Sequence, residues 1–234
     1  MKKVGVIIGV ILVGFGGLLW WSYQEKQATS PNYAEIDENR IIGAERFNGG
    51  IADHVKGSTE AAVLLFEYAD FQCPGCATVN VRLNRLVEEY QSKLAVVYRN
   101  FLIKDHLNST AMTTAAEAAG LQGFWKPYAD LVFANQSSWE YVSGKERTEL
   151  LVKYFERVSE GRGDVEKFKR DLSSPEIKLK IEFDMGLARK VKATHTPTLI
   201  LNGENLDFSQ VSGEEGFLKL LREKIDRILA EKTK

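Results

Sequence analysis

Cysteine and histidine are almost missing from this sequence: 234 residues carry two cysteines and three histidines, His54, His106 and His195. Tetrahedral zinc takes four ligands, so a zinc site here would have to be gathered from scattered histidines or carboxylates. There is no third cysteine to mispair with the first two. An excess of one charge is missing too, with 31 basic against 32 acidic residues, a net charge of −1 and no basic patch. That balance leaves no electrostatic case for nucleic acid. The 44% hydrophobic and 27% charged content suits one well-cored domain with an insertion.

What is present is concentrated in Glu67-Tyr68-Ala69-Asp70-Phe71-Gln72-Cys73-Pro74-Gly75-Cys76, where both cysteines stand two residues apart. The preceding run Ala61–Phe66 reads as a buried strand, and Val79, Leu83, Leu86, Val87 and Tyr90 recur at helical spacing after it. The pair therefore falls at a strand-to-helix junction. Pro74 suits the first helical position, which puts Cys73 at the cap, its sulfur near unpaired backbone N–H groups. The positive end of a helix favours thiolate over thiol. Disulfide exchange needs one exposed thiolate and a second thiol to resolve the mixed disulfide, roles that fit Cys73 and Cys76. An inert structural disulfide explains the spacing poorly, because closing so short a loop removes little chain entropy.

At the other end, Lys2-Lys3 precede the uncharged run Val4–Trp21, with Trp20, Trp21 and Tyr23 at its far edge. At 1.5 Å per residue the run covers about 27 Å, close to a hydrocarbon core of about 30 Å. Residues 1–23 are expected to be a membrane anchor. The lysines stay cytoplasmic, so the rest of the chain lies outside. A cleaved signal peptide is the competing account, but Trp20-Trp21-Ser22-Tyr23 is a poor cleavage site. Residues 24–40 read as a polar linker acting as a tether.

Within residues 41–234, Ile41 to Gly50 is ambiguous, with a short edge strand as one reading, and His54 reads as a solvated loop residue. Leu94–Arg99 reads as a second strand, parallel to the first through a right-handed crossover. Helical patterns follow over 108–120, 124–134, 145–158, 165–172 and 175–191, an inserted layer spanning about 104–192, with Trp125 and Trp139 as packing residues. The strand pattern returns at Thr194–Leu201, and an amphipathic helix closes the chain over about 214–230. Asn108-Ser109-Thr110 and Asn135-Gln136-Ser137 match glycosylation triplets, which occur by chance.

Glu67 six positions before the first cysteine, Asp70, Cys73-Pro74-Gly75-Cys76, the stretch Ala115–Gly120 and Thr196-Pro197-Thr198 together resemble the DsbA-like branch of the thioredoxin superfamily. The resemblance covers roughly residue 61 to the C-terminus. It implies an α/β architecture, a thioredoxin fold interrupted by a helical domain, here preceded by one N-terminal transmembrane helix. It implies a cis proline at Pro197 facing the cysteines, a backbone contact to a substrate strand at Thr196, and a buried acid at Glu67 serving the resolving thiol. Asp70 would be a loop residue that only neighbours the site. Two departures concern modulators of the thiolate. His195 stands where related sequences often carry a small residue, so an imidazolium could stabilise Cys73. Pro74-Gly75 replaces the Pro-His of the strongest oxidants, which lowers the expected oxidising power.

The function expected from all this is a membrane-tethered extracytoplasmic thiol-disulfide oxidoreductase, a dithiol oxidase for exported proteins, with no cofactor beyond the Cys73–Cys76 disulfide and no metal. Its partners would be exported proteins with free thiols or disulfides and a membrane redox protein that regenerates the pair. The alternatives are a reductase or isomerase fed electrons across the membrane, and a non-catalytic tethered binding protein or chaperone.

Overall fold

A computed structural model describes residues 31–232. The expected anchor over residues 1–23 and the first part of the linker lie outside the described residues. Among the described residues, no helix is long and apolar enough to cross a membrane.

Five strands, β1 (His54–Gly57), β2 (Val63–Ala69), β3 (Leu94–Asn100), β4 (Thr198–Leu201) and β5 (Glu204–Asn205), form one sheet in the order β1-β3-β2-β4-β5. β2 and β3 run parallel through the crossover helix α1 (Pro74–Tyr90), and the other neighbours are antiparallel. The period of two in the strands sorts their side chains between two layers. Val63 and Leu65, with Val96 and Leu199, pack on Leu83 and Leu86 of α1 and on Leu221 and Ile225 of the terminal helix (Gly213–Lys232). Phe66, Tyr68, Val97 and Ile200 face the other way. By the same alternation Glu67 points to the α1 side and lies wholly inside the protein.

Between β3 and β4 run α2 (Ser109–Gly120), α3 (Trp125–Ala134), α4 (Gly144–Ser159), α5 (Val165–Asp171) and α6 (Pro175–Lys190), which leaves α7 for the terminal helix. Helices α2 to α5 form the inserted layer around Trp139, Tyr128, Phe155 and Phe168. α6 does two jobs instead of one. Ile177 and Ile181 meet that layer, while Phe183, Leu187 and Ala188 cover the second face of the sheet.

The described residues ahead of β2 differ most from expectation. Ile41 to Gly50 is not a strand: it holds a 3-10 turn at Arg46–Asn48, closed by Gly49 at φ 69°. A Cβ on Gly49 would lie 2.1 Å from the Glu176 carbonyl oxygen, so glycine alone lets α6 start this close. The edge strand is β1, and His54 belongs to it. Its ring stacks on Trp125 at 4.2 Å between centroids and lies 2.7 Å from Glu117 Oε2, so it is no solvated loop residue. Residues 31–40, the described part of the expected tether, lie against the domain. Tyr33 stacks on Phe183 and occupies the space where a Cβ of Gly186 would be, and buried Arg99 donates to the carbonyls of Glu38 (2.7 Å) and Arg40 (2.9 Å). A polar stretch held by its own carbonyls shows no apolar period, which is why the docking is invisible in the sequence.

Candidate active site

Pro74 is the first residue of α1 and Cys73 its N-cap, in extended backbone at φ −77° and ψ 119°. The cap role that serine or aspartate often fills is taken here by sulfur: the backbone N–H of Cys76 donates to Cys73 Sγ at 3.4 Å. The Cys73 thiol in turn reaches the Thr196 carbonyl oxygen at 3.3 Å. Both cysteines are free thiols. Cys73 is 8% exposed and Cys76 0%, so only one sulfur can be approached from outside.

Electrostatics divides the pair further. A hydrogen bond from the Cys76 side chain is the largest influence on Cys73; against the opposing effect of burial, it and bonds from the Thr196 side chain and the backbones of Cys76 and Gly75 bring Cys73 down to about 5. Cys76 goes far the other way. Burial comes first, then its donation to Cys73, then the charge of Glu67. One sulfur is a thiolate at neutral pH and the other is held as a thiol.

Glu67, fully buried, is the acid whose charge bears on both sulfurs. Neither of its carboxyl oxygens has a hydrogen-bond partner among the described residues, and burial pushes the group up to about 7. Its principal countercharge is Lys56 on β1, which is itself buried and pulled below the usual lysine range by that burial. Sequence reasoning missed Lys56. A lysine in a four-residue strand gives no sign that it turns inward.

The loop carrying Cys73 is fastened from the helical side. The Asp70 carboxylate is buried and accepts from the backbone N–H of Gln72 (2.8 Å) and Ile103 (2.8 Å), with His106 Nδ1 at 2.9 Å. Asp70 therefore fixes the loop instead of merely neighbouring the site. The Gln136 amide donates to the carbonyls of Phe71 (2.6 Å) and Cys73 (2.9 Å). Asn108 is buried and donates to the carbonyls of Trp139, Glu140 and Val142. Its amide is thus committed inside the fold, which agrees with a chance match to the glycosylation triplet.

Thr196-Pro197 is a cis peptide. A Cβ on Gly75 would come 3.3 Å from Pro197 Cδ and 3.6 Å from Cys73 Sγ, so the cysteine turn and the proline loop are in contact. His195 is exposed, its ring within reach only of the neighbouring Thr194 hydroxyl at 3.4 Å among described hydrogen bonds. Cys76, Thr196 and Gly75 carry the hydrogen bonds that lower Cys73, and His195 lines a groove. That groove, about 730 Å³, runs from Gly75 and Pro197 over Val79, Leu206, Phe208 and Phe217.

The thioredoxin family model matches residues 50–222. The probable disulfide bond formation protein D of Bacillus cereus is 32% identical over 188 residues, 76% of this chain and 84% of that protein. The Na(+)/H(+) antiporter NhaA of Herminiimonas arsenicoxydans is 30% identical over 211 residues, 87% of this chain, which spans only 30% of that relative. Among solved structures, oxidised BdbD from Bacillus subtilis superposes with a TM-score of 0.62 at 18% identity, over 82% of this chain and 99% of that one. Wolbachia pipientis alpha-DsbA1 gives 0.58 at 21% identity, over 76% and 92%. The two structural likenesses concern the fold, while the family match and the Bacillus cereus relative concern descent. The chain belongs to the thioredoxin family, among its DsbA-like thiol-disulfide oxidoreductases.

Proposed function

We propose that this protein is a dithiol oxidase that introduces disulfides into exported proteins, tethered by residues 4–21 with its domain on the extracytoplasmic side. The observation that carries the direction is the split between the sulfurs: Cys73 lies at about 5 while Cys76 is pushed far up. A stabilised Cys73 thiolate favours the reduced enzyme, which is what makes a disulfide oxidising. The name of the Bacillus cereus relative, a disulfide bond formation protein, points the same way.

In the oxidised enzyme a substrate thiolate attacks Cys73 Sγ, forming a mixed disulfide and breaking the Cys73–Cys76 bond. Cys76 leaves as a high-energy thiolate and takes a proton from Glu67, whose position near 7 suits both giving and regaining it. The substrate's second thiolate then attacks its own sulfur in the mixed disulfide, and Cys73 leaves as a thiolate. Two electrons have passed from substrate to enzyme. A membrane redox partner removes them and restores the disulfide, which is the only redox group needed. Thr196, beside Cys73 Sγ, offers backbone to an extended substrate segment, and the apolar groove beyond Pro197 accepts its side chains. Pro74 and Gly75 tune the thiolate through the helix start. His195 acts on what enters the groove.

The test is the reduction potential of the Cys73/Cys76 couple, with substrate oxidation by variants. A potential above the glutathione range is expected. Cys73→Ser should abolish oxidation, and Cys76→Ser should accumulate a mixed disulfide. A potential well below that range makes the protein a reductase, and an active Cys73→Ser variant makes it a binding protein.

A further inference from the structure

A continuous polar chain leads from Lys56, the countercharge of the buried acid, to the surface of the helical layer. Lys56 Nζ donates to Asn80 Oδ1, and Asn80 Nδ2 donates to Asp130 Oδ1 at 3.0 Å. Asn84 Nδ2 reaches the same oxygen at 2.9 Å, and Lys126 Nζ holds Asp130 Oδ2 at 2.8 Å. Asn80 and Asn84 lie on α1, one and two turns beyond Cys76, whereas Asp130 and Lys126 lie on α3. Lys56 is 1% exposed and Glu67 0%. Lys56 also faces the Trp125 ring, 5.9 Å from its centroid.

A buried ammonium is costly unless countered. Among the described residues the hydrogen bond of Lys56 goes to a neutral amide, so its countercharges are Glu67 on β2 and, beyond that amide, Asp130 on α3, opposed by Lys126. Glu67 is faced by Lys56 from β1, Tyr98 from β3, Cys73 and Cys76 at the start of α1, and Asp130 from α3.

We propose that Asp130 is a positioning residue for disulfide exchange: acting through Asn80, it holds Lys56 in place as the charged counterpart of Glu67, and so sets the pH at which Glu67 and Cys76 trade a proton. The coupling rests on the role given to Glu67 above. It has a sign that simple proximity does not. If Asp130 acted only through space, its charge would repel the Glu67 carboxylate, and neutralising it would ease ionisation. Acting through Lys56, its loss takes the countercharge away and makes ionisation harder.

The experiment titrates the protonated Glu67 carboxyl by its infrared C=O band in the full-length reduced protein, identified by difference against Glu67→Gln. Asp130→Asn should raise the midpoint by about one pH unit. Asn80→Ser, which cuts the link and leaves the Asp130 charge in place, should raise it as well. Asp130→Asn combined with Asn80→Asp, which returns a carboxylate to Lys56, should bring it back. A midpoint that falls or stays put in either single variant overturns the inference, and each single variant decides alone if the other does not fold. The pH profile of single-turnover substrate oxidation separates the two readings. A midpoint that moves without the rate profile following leaves the coupling standing and removes Glu67 from the reaction.

Discussion

The backbone N–H of Cys76 points at Cys73 Sγ from 3.4 Å, so the residue that resolves the disulfide also stabilises its partner as an anion. The Cys76 side chain adds a second donor to the same sulfur, and burial together with that donation holds it protonated. Such stabilisation comes from fixed short-range dipoles, not from a mobile cation, so salt should screen it weakly. Thiolate absorbance of the reduced protein is expected to titrate near 5 at both low and high ionic strength.

The same shift makes the stability of the reduced form depend on pH, with a sign set by two opposing groups. Cys73 is depressed from 9.0 to about 5, so its contribution is full above 9.0 and is lost as pH falls towards 5. Glu67 is raised from 4.5 to about 7, so its contribution is full below 4.5 and is lost as pH rises to 7. Between about 5 and 7 the two offset each other. Denaturation of the reduced protein should therefore show a nearly flat stability in that window and a rise between 7 and 9, and Cys73→Ser should remove the rise.

Glu67→Gln replaces the buried acid by a group that cannot carry the proton. Substrate oxidation should slow by about 100-fold, the low end for a lost acid or base, and should lose its inflection near 7. The variant should also be more stable above pH 7, because the cost of a buried carboxylate is gone. That gain is offset in part by an amide that inherits a pocket without partners and by the countercharge taken from buried Lys56, so no more than about 1 kcal/mol is expected from urea titration. An unchanged rate with unchanged pH dependence would assign the proton to another group.

The helix start, the cysteine positions and the five inserted helices were legible because each depends on residues close in sequence: Pro74 after Cys73, Ser174 before Pro175, one apolar stripe per helix. The inward turn of Glu67 came from resemblance, and only the alternation of β2 explains it. Lys56, Gln136 and Asp130 were not legible. Their partners lie tens of residues away and on other elements, and polar residues carry no periodic signature of burial. β1 was missed for a related reason, since the buried position of its four residues is Lys56 and hydropathy does not mark the inward face. His195, two residues from Pro197, lines the groove, a placement that its spacing in the sequence did not give.

Gly75 leaves open the space nearest the thiolate. Its absent Cβ would stand 3.6 Å from Cys73 Sγ and 3.3 Å from Pro197 Cδ, a tight but not prohibitive fit. Gly75→His should therefore fold, and an imidazolium at the helix start should lower Cys73 further. A tenfold gain in thiolate stability corresponds to about 30 mV for a two-electron couple. The reduction potential should rise by about that amount or more, read by equilibration with glutathione. A fall would mean that displacement of Pro197 outweighs the added charge.

Arg99 provides the last prediction, because it joins stability to the docking of the chain's N-terminal stretch. The side chain is fully buried and pairs with Asp53 at 2.8 Å, with Tyr68 Oη at 2.9 Å and with the carbonyls of Glu38 and Arg40. Lys180 supports the same carboxylate at 3.2 Å and Asp184 at 2.8 Å. Breaking a buried pair strands a charge, so Arg99→Leu should cost about 3–5 kcal/mol by urea denaturation. Adding Asp53→Leu should recover part of that loss, because an apolar pair can replace a buried ionic one. Neither variant restores donors to the carbonyls of Glu38 and Arg40, so amide exchange over residues 38–42 should stay accelerated in both. Cys73 should titrate as before, since Arg99 sits over Phe66 on the α6 face of the sheet and the cysteines lie at the start of α1. Recovery of exchange protection in the double variant would show that the stretch is held by Tyr33 and the pair of Lys190 with Glu38 instead.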